Sequence, residues 1–150
     1  TDPSRDHSEF LDQAQKEGLD VIAGISDYPY LKMPGNCLST NLDCFRQIKE
    51  QYSQLLKHGF LSGVHTYHPA LRTVVLMNEP DRKLSGDVVH FFRALLSAFD
   101  AVLEAEKEAG VTGPAPNLTV TFSFGLCPKC APSGDHPGLG QMLALRGTMR

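Results

Sequence analysis

The sequence predicts an α/β domain of parallel βα repeats, about three to four units long. One plan recurs three times: an amphipathic helix, a lysine in its last turn, a glycine stop, then a short apolar strand. Strands separated by helices pair in parallel through right-handed crossovers. The run Thr73-Val74-Val75-Leu76-Met77 is apolar without alternation, as expected of a parallel strand covered on both faces. A chain of 150 residues suits one domain, burying roughly 68–70% of its extended-chain surface on folding. No low-complexity tract or interdomain linker interrupts the plan.

The first helix is expected over Asp6 to Glu17. Asp6 with Glu9 forms a capping pattern, and Gly18 supplies the left-handed stop. Leu19 to Ile25 reads as a short buried strand, followed by Ser26-Asp27-Tyr28-Pro29-Tyr30 and a Pro/Gly loop. A second helix is expected from Thr40, whose hydroxyl suits an N-cap, to the stop at Gly59. Phe45, Ile48, Tyr52, Leu55 and Leu56 recur along it at helical spacing. A connection through His65 and His68 then leads into the Val74–Met77 strand. The third helix places Val88, Phe92, Leu95, Leu96, Phe99, Val102 and Leu103 on one face, with Gly110 as its stop. Asn117 to Phe124 reads as a third strand, and Leu139 to Leu145 as the start of a fourth helix.

Charge excludes one class of partner. A net charge of −3 with no basic run gives no footprint for nucleic acid. No stretch approaches the roughly 20 apolar residues a membrane helix needs. Neither GxGxxG after the first strand nor GxxxxGK[ST] is present, which removes the commonest nucleotide-binding explanation, and no cofactor is expected. The chain opens Thr1-Asp2-Pro3-Ser4 and ends at Arg150 without a clear terminal signal, so a piece of a longer protein is expected.

The four cysteines fall into two local pairs, Cys37 with Cys44 and Cys127 with Cys130. Structural thiols or a loop disulfide, a redox pair, and a metal site all remain open. Pro132, Gly134, Pro137 and Gly138 oppose the helix that a redox CxxC needs, and Cys37/Cys44 lack the spacing of a second zinc knuckle. With the sequon Asn117-Leu118-Thr119, the cysteines point toward an extracellular or secretory-lumen setting.

The residues that carry chemistry close the central strand: Asn78-Glu79-Pro80-Asp81. Pro80 cannot extend a ladder and biases Glu79 away from helix, so the strand stops there. An amide and a carboxyl thus stand at the C-terminal end of a parallel strand, the edge where α/β sheets bind ligands. Out of context, a glutamate before proline is a common solvated turn residue.

The segment from His68-Pro69 to Asn78-Glu79-Pro80 resembles the fourth-strand motif of the (β/α)8-barrel glycoside hydrolase clan, whose familiar members are family 5 cellulases and related β-glucanases. The resemblance implies a partial TIM-barrel-like fold and hydrolysis of a β-linked polysaccharide or oligosaccharide with retention. It implies that Glu79 is the general acid/base and Asn78 the amide that binds the sugar 2-hydroxyl and the nucleophile. Tyr28 and Tyr30 are candidates for stacking on sugar, and His68 for lining the cleft. The chain departs from the family in length, since a whole barrel takes ~250 residues. The family's second carboxylate, a glutamate on a later strand, has no place in it.

Two further readings follow. A non-catalytic accessory subunit derived from such a barrel needs a protein partner, or the missing barrel half, to cover its sheet edges. A thiol-redox module would use Cys127 and Cys130.

Overall fold

The structure, a computed structural model, describes residues 1–84 and 88–122, without the side chains of Asp81, Arg82 and Val88. The Cys127/Cys130 pair and the helix expected at 139–145 lie outside the described residues.

Helix α1 (Ser8–Lys16) starts later than expected. Asp6 does not form the capping box with Glu9. Its carboxylate accepts the Ser8 N–H at 2.9 Å and the Ser8 hydroxyl at 2.6 Å, a local turn that competes with helix. The far end follows the sequence: Gly18 is left-handed (φ +69°) and Leu19 N–H reaches Ala14 O at 2.8 Å. Strand β1 (Val21–Gly24) comes next and is shorter than expected. Where a loop was expected, Tyr28–Lys32 makes one wide helical turn, started by Asp27, whose carbonyl accepts Tyr30 N–H and Leu31 N–H.

Helix α2 (Phe45–Leu55) does not begin at Thr40. Asn41 and Leu42 are left-handed (φ +54° and +61°), which breaks any helix there. The Thr40 hydroxyl is turned to the carbonyls of Cys37 and Asp43, and the Asp43 carboxylate takes the Phe45 N–H at 3.1 Å instead. A kinked turn (Leu56–Phe60) with Gly59 at φ +105° ends α2. The following connection forms a small antiparallel hairpin, β2 (Leu61–Ser62) with β3 (Thr66–Tyr67), that the sequence did not announce. Strand β4 (Leu71–Asn78) is longer than its apolar run. After the short α3 (Pro80–Lys83) come α4 (Val88–Glu108) and β5 (Asn117–Thr121).

The α/β class and the parallel pairing follow the sequence. β1, β4 and β5 form a three-stranded, all-parallel sheet in that order, and it is open: the described residues close no barrel. The register shifts between Val75 and Met77 opposite β5, a bulge at Leu76. It lets Leu76 and Met77, adjacent in sequence, both be buried.

Packing corrects the expected face of α4. Its buried stripe is Phe91, Ala94, Leu95, Ala98, Ala101, Val102 and Ala105, while Leu96 and Leu103 are exposed. The alanines let α4 lie close along α2, and Ser97 accepts the Cys44 N–H at 2.9 Å. Large side chains alone do not mark a buried face where two helices approach closely.

Tyr30 links the wide turn to the bulge, its hydroxyl donating to Leu76 O at 2.7 Å. Tyr30→Phe removes a donor from a buried carbonyl at almost constant volume. A loss of about 1–3 kcal/mol is expected in urea unfolding. An unchanged midpoint would show that the bond carries no weight.

Three tyrosines share one consequence. Tyr52 and Tyr67 hydroxyls meet at 2.7 Å, Tyr67 also donates to Glu106, and burial foremost raises the pKa of Tyr30, Tyr52 and Tyr67. A phenol with a raised folded pKa stabilises the fold fully below its unfolded value near 10. That contribution is lost as pH rises beyond it toward the folded values. Urea midpoints are therefore expected to fall from about pH 10 upward. A midpoint flat to about pH 12 would contradict the shifts.

Candidate functional site

Parallel pairing brings the ends of β1, β4 and β5 to one edge, and the Asn78–Glu79 pair stands at the end of the middle strand. Asn78 is exposed and Glu79 half-buried. The turn is sharper than proline alone requires. A residue before proline is steered toward extended backbone, yet Glu79 is left-handed at φ +52°, ψ +53°. Its N–H donates to Thr121 O at 3.0 Å, which extends the β4–β5 ladder by one bond. Such a backbone costs a non-glycine residue about 1–2 kcal/mol and persists where surroundings over-determine it.

Two residues that sequence reasoning passed over complete the edge. Thr121 donates its hydroxyl to Asn78 Oδ1 at 2.8 Å, which orients the amide and leaves Nδ2 as its donor. Lys83, on α3, donates to Asn78 O at 2.9 Å and pairs with Asp27 at 2.8 Å. It therefore ties the end of β1 to the end of β4. The signal for Lys83 was its place four residues after Glu79, one turn into the segment Pro80 starts. Thr121 carried none, because its partner is 43 residues away.

Of the expected sugar-binding residues, the structure brings only Asn78 to Glu79. Tyr28 is exposed and lines a neighbouring cleft of about 510 Å³ with Thr1–Ser4, Ser26 and Gln51. Tyr30 is 4% exposed, a core ring with its hydroxyl committed to Leu76. His68 precedes β4 and so sits at the opposite edge of the sheet. There its Nδ1 accepts the Ala70 N–H at 3.2 Å and its Nε2 faces Asp12 at 3.1 Å. Tyr30 reaches the depression beside Asn78 only as a buried ring whose hydroxyl is committed to Leu76, and strand direction carries His68 to the far edge, so neither presents a face to a sugar at Glu79.

The depression lined by Asp27, Tyr30, Met77, Asn78, Pro80, Lys83 and Leu84 encloses about 10 Å³. That is barely room for one water. Asp27, the nearest alternative carboxylate, is committed to Lys83; the Asp81 side chain lies outside the described residues. Among the described residues no group of three or more His, Cys, Asp or Glu could hold a metal ion, and no helix is long and apolar enough to cross a membrane. Cys37 and Cys44 are buried, unlinked thiols.

Fold and edge together define an α/β protein with an amide–carboxyl pair at the C-terminal end of its central parallel strand. No protein-family model, no curated protein and no solved structure matches the chain.

Proposed function

We propose that this chain carries the acid/base half of a retaining β-glucan hydrolase site on part of a (β/α)8-type barrel. The observation that supports it is the placement of Asn78 and Glu79 together at the C-terminal end of the middle parallel strand. Strand order adds support. β1-β4-β5 never reverses direction, so right-handed crossovers put the helices on one face, as in a barrel wall and unlike a doubly wound sheet. The other face carries Ile22, Thr73 and Thr119; Ile22 is 70% exposed, where the interior of a closed barrel would cover it.

In this reading Glu79 protonates the glycosidic oxygen as the bond breaks, because an alkoxide is a poor leaving group near neutral pH. Asn78 Nδ2 donates to the sugar 2-hydroxyl, and Thr121 holds the amide in that sense. A nucleophilic carboxylate roughly 5–5.5 Å from Glu79 then comes from another part of the full-length protein. Hydrolysis of a β-glucan by that protein, with and without Glu79→Gln, tests the proposal.

A second reading is favoured by the exposure of Ile22 on the edge strand β1. It is a non-catalytic accessory subunit of the same ancestry, whose open face is covered by a partner protein. Full-length protein that binds β-glucan oligosaccharides without cleaving them would favour this reading over the first.

A further inference from the structure

A cleft beyond the outer strand lies on the same sheet edge as Glu79 and has no part in the acid/base step. Strand order is β1-β4-β5, so the residues that follow β1 stand one strand outward from Asn78. Asp27 there pairs with Lys83, which donates to Asn78 O. Its two neighbours, Ser26 and Tyr28, line the cleft of about 510 Å³ together with Thr1–Ser4 and Gln51. That volume falls in the ordinary range of small-molecule sites, roughly 300–1,000 Å³. The Thr1–Ser4 wall is tied down. The Thr1 hydroxyl donates to Gly24 O at 2.5 Å, and His7 and His58 donate to the carbonyls of Asp2 and Pro3 at 2.8 and 2.5 Å. Gln51 is the one buried member of the lining, 9% exposed, and its Oε1 has no hydrogen-bond partner among the described residues. Buried amide oxygens are nearly always paired, and one left open destabilises the chain until something donates to it. Tyr28, in the same lining, is exposed.

We propose that this cleft is a remote subsite for one neutral pyranose unit of the glucan, with Tyr28 as its stacking platform and the Gln51 amide as its hydrogen-bonding group. The proposal rests on the β-glucan hydrolase reading of the Glu79 edge. The chemistry of the lining selects the ligand. Hydroxyls, an amide and one aromatic ring surround the cleft. Its single charged side chain, Asp2, is already held by the Ser4 hydroxyl at 2.7 Å and by Arg5 at 3.6 Å. A charged ligand therefore finds no free side-chain counter-charge there. A pyranose offers an apolar face of C–H groups to the ring, and hydroxyls that both donate and accept. An amide answers a hydroxyl in either sense, since a half-turn about its Cγ–Cδ bond exchanges Oε1 with Nε2. Placement gives the site its use. A glucan cleaved at Glu79 that runs outward across the strand ends, over the Asp27–Lys83 pair, reaches Tyr28 with a unit remote from the scissile bond. Binding energy from that unit holds the chain in position at Glu79, and only long substrates gain it.

The test uses the full-length protein carrying Glu79→Gln, which leaves bound sugar uncleaved, in calorimetric titrations with cellohexaose and laminarihexaose. Tyr28→Ala and Gln51→Leu are each expected to weaken binding of the preferred hexasaccharide by about three- to tenfold, the loss of one stacking or hydrogen-bonding contact. With Glu79 restored, each variant should lower kcat/KM on that hexasaccharide by the same factor and leave an aryl glucoside, which has no remote unit, unchanged. Gln51→Leu removes an unpaired buried acceptor and Tyr28 is exposed, so thermal midpoints should not fall. Hexasaccharide affinity unchanged in both variants, with cleavage still dependent on Glu79, would overturn the subsite and leave the hydrolase reading standing. Equal losses on hexasaccharide and aryl glucoside would also overturn it, since the variants would then disturb the Glu79 edge itself. Binding that depends on Tyr28 and Gln51 in a protein that cleaves no glucan would sink the hydrolase reading and keep the cleft as a sugar site. Binding of neither hexasaccharide would remove both.

Discussion

Gly59→Ala is expected to be among the most damaging single substitutions in the described part of the chain. Gly59 has φ +105°, and a Cβ there would lie 2.5 Å from Ser8 N and 2.9 Å from His7 C. Both are backbone atoms at the start of α1, where His7 N–H is bonded to His58 O at 2.9 Å, so neither can swing aside. A left-handed L-residue costs about 1–2 kcal/mol and a forced overlap typically about 1–3 kcal/mol more. With the two added, about 2–5 kcal/mol, the thermal midpoint is expected to fall by roughly 4–20 °C, at about 2–4 °C per kcal/mol. Gly63→Ala is the control: Gly63 is also left-handed (φ +73°) but its added Cβ meets nothing within 4 Å. If the two variants melt together, the close approach of α1 to the Leu56–Phe60 turn is wrong.

Glu79→Gln in the full-length protein is expected to lower β-glucan hydrolysis by about 10²–10⁴-fold, the usual contribution of a positioned general acid. Glutamine keeps the size of the side chain, and the thermal midpoint of the variant serves as the control for folding. Leaving-group dependence makes the assignment specific. An aryl glucoside whose phenolate departs without protonation bypasses the acid in the first step, so that step should lose far less than glucan cleavage. The second step still lacks its base, and added azide, a nucleophile that needs no deprotonation, should restore turnover. Equal losses on both substrates with no azide response would leave Glu79 as a structural turn residue.

Much of the fold could be read along the chain because its determinants are local. Helical spacing marked α2 and α4; Gly18, Gly59 and Gly110 each proved left-handed where a helix stop was expected. Pro80 ended β4. The errors arose where side chains chose partners other than those the local pattern predicts. Asp6 took Ser8, Thr40 took loop carbonyls, and alanines rather than Leu96 and Leu103 faced α2. Each competing bond or contact is worth as much as the local preference it replaced, so local preference could not decide between them.

The candidate site divides the same way. Sequence alone determined that an amide and a carboxyl end a parallel strand, because an apolar β-branched run and a proline act through backbone geometry within a few residues. Only tertiary structure decided what surrounds them. Thr121 orients Asn78, Lys83 joins Asn78 to Asp27, Tyr30 turns into the core and His68 goes to the far edge. Those outcomes depend on strand register, on the Leu76 bulge and on contacts between residues more than forty positions apart, which the order of residues does not by itself display.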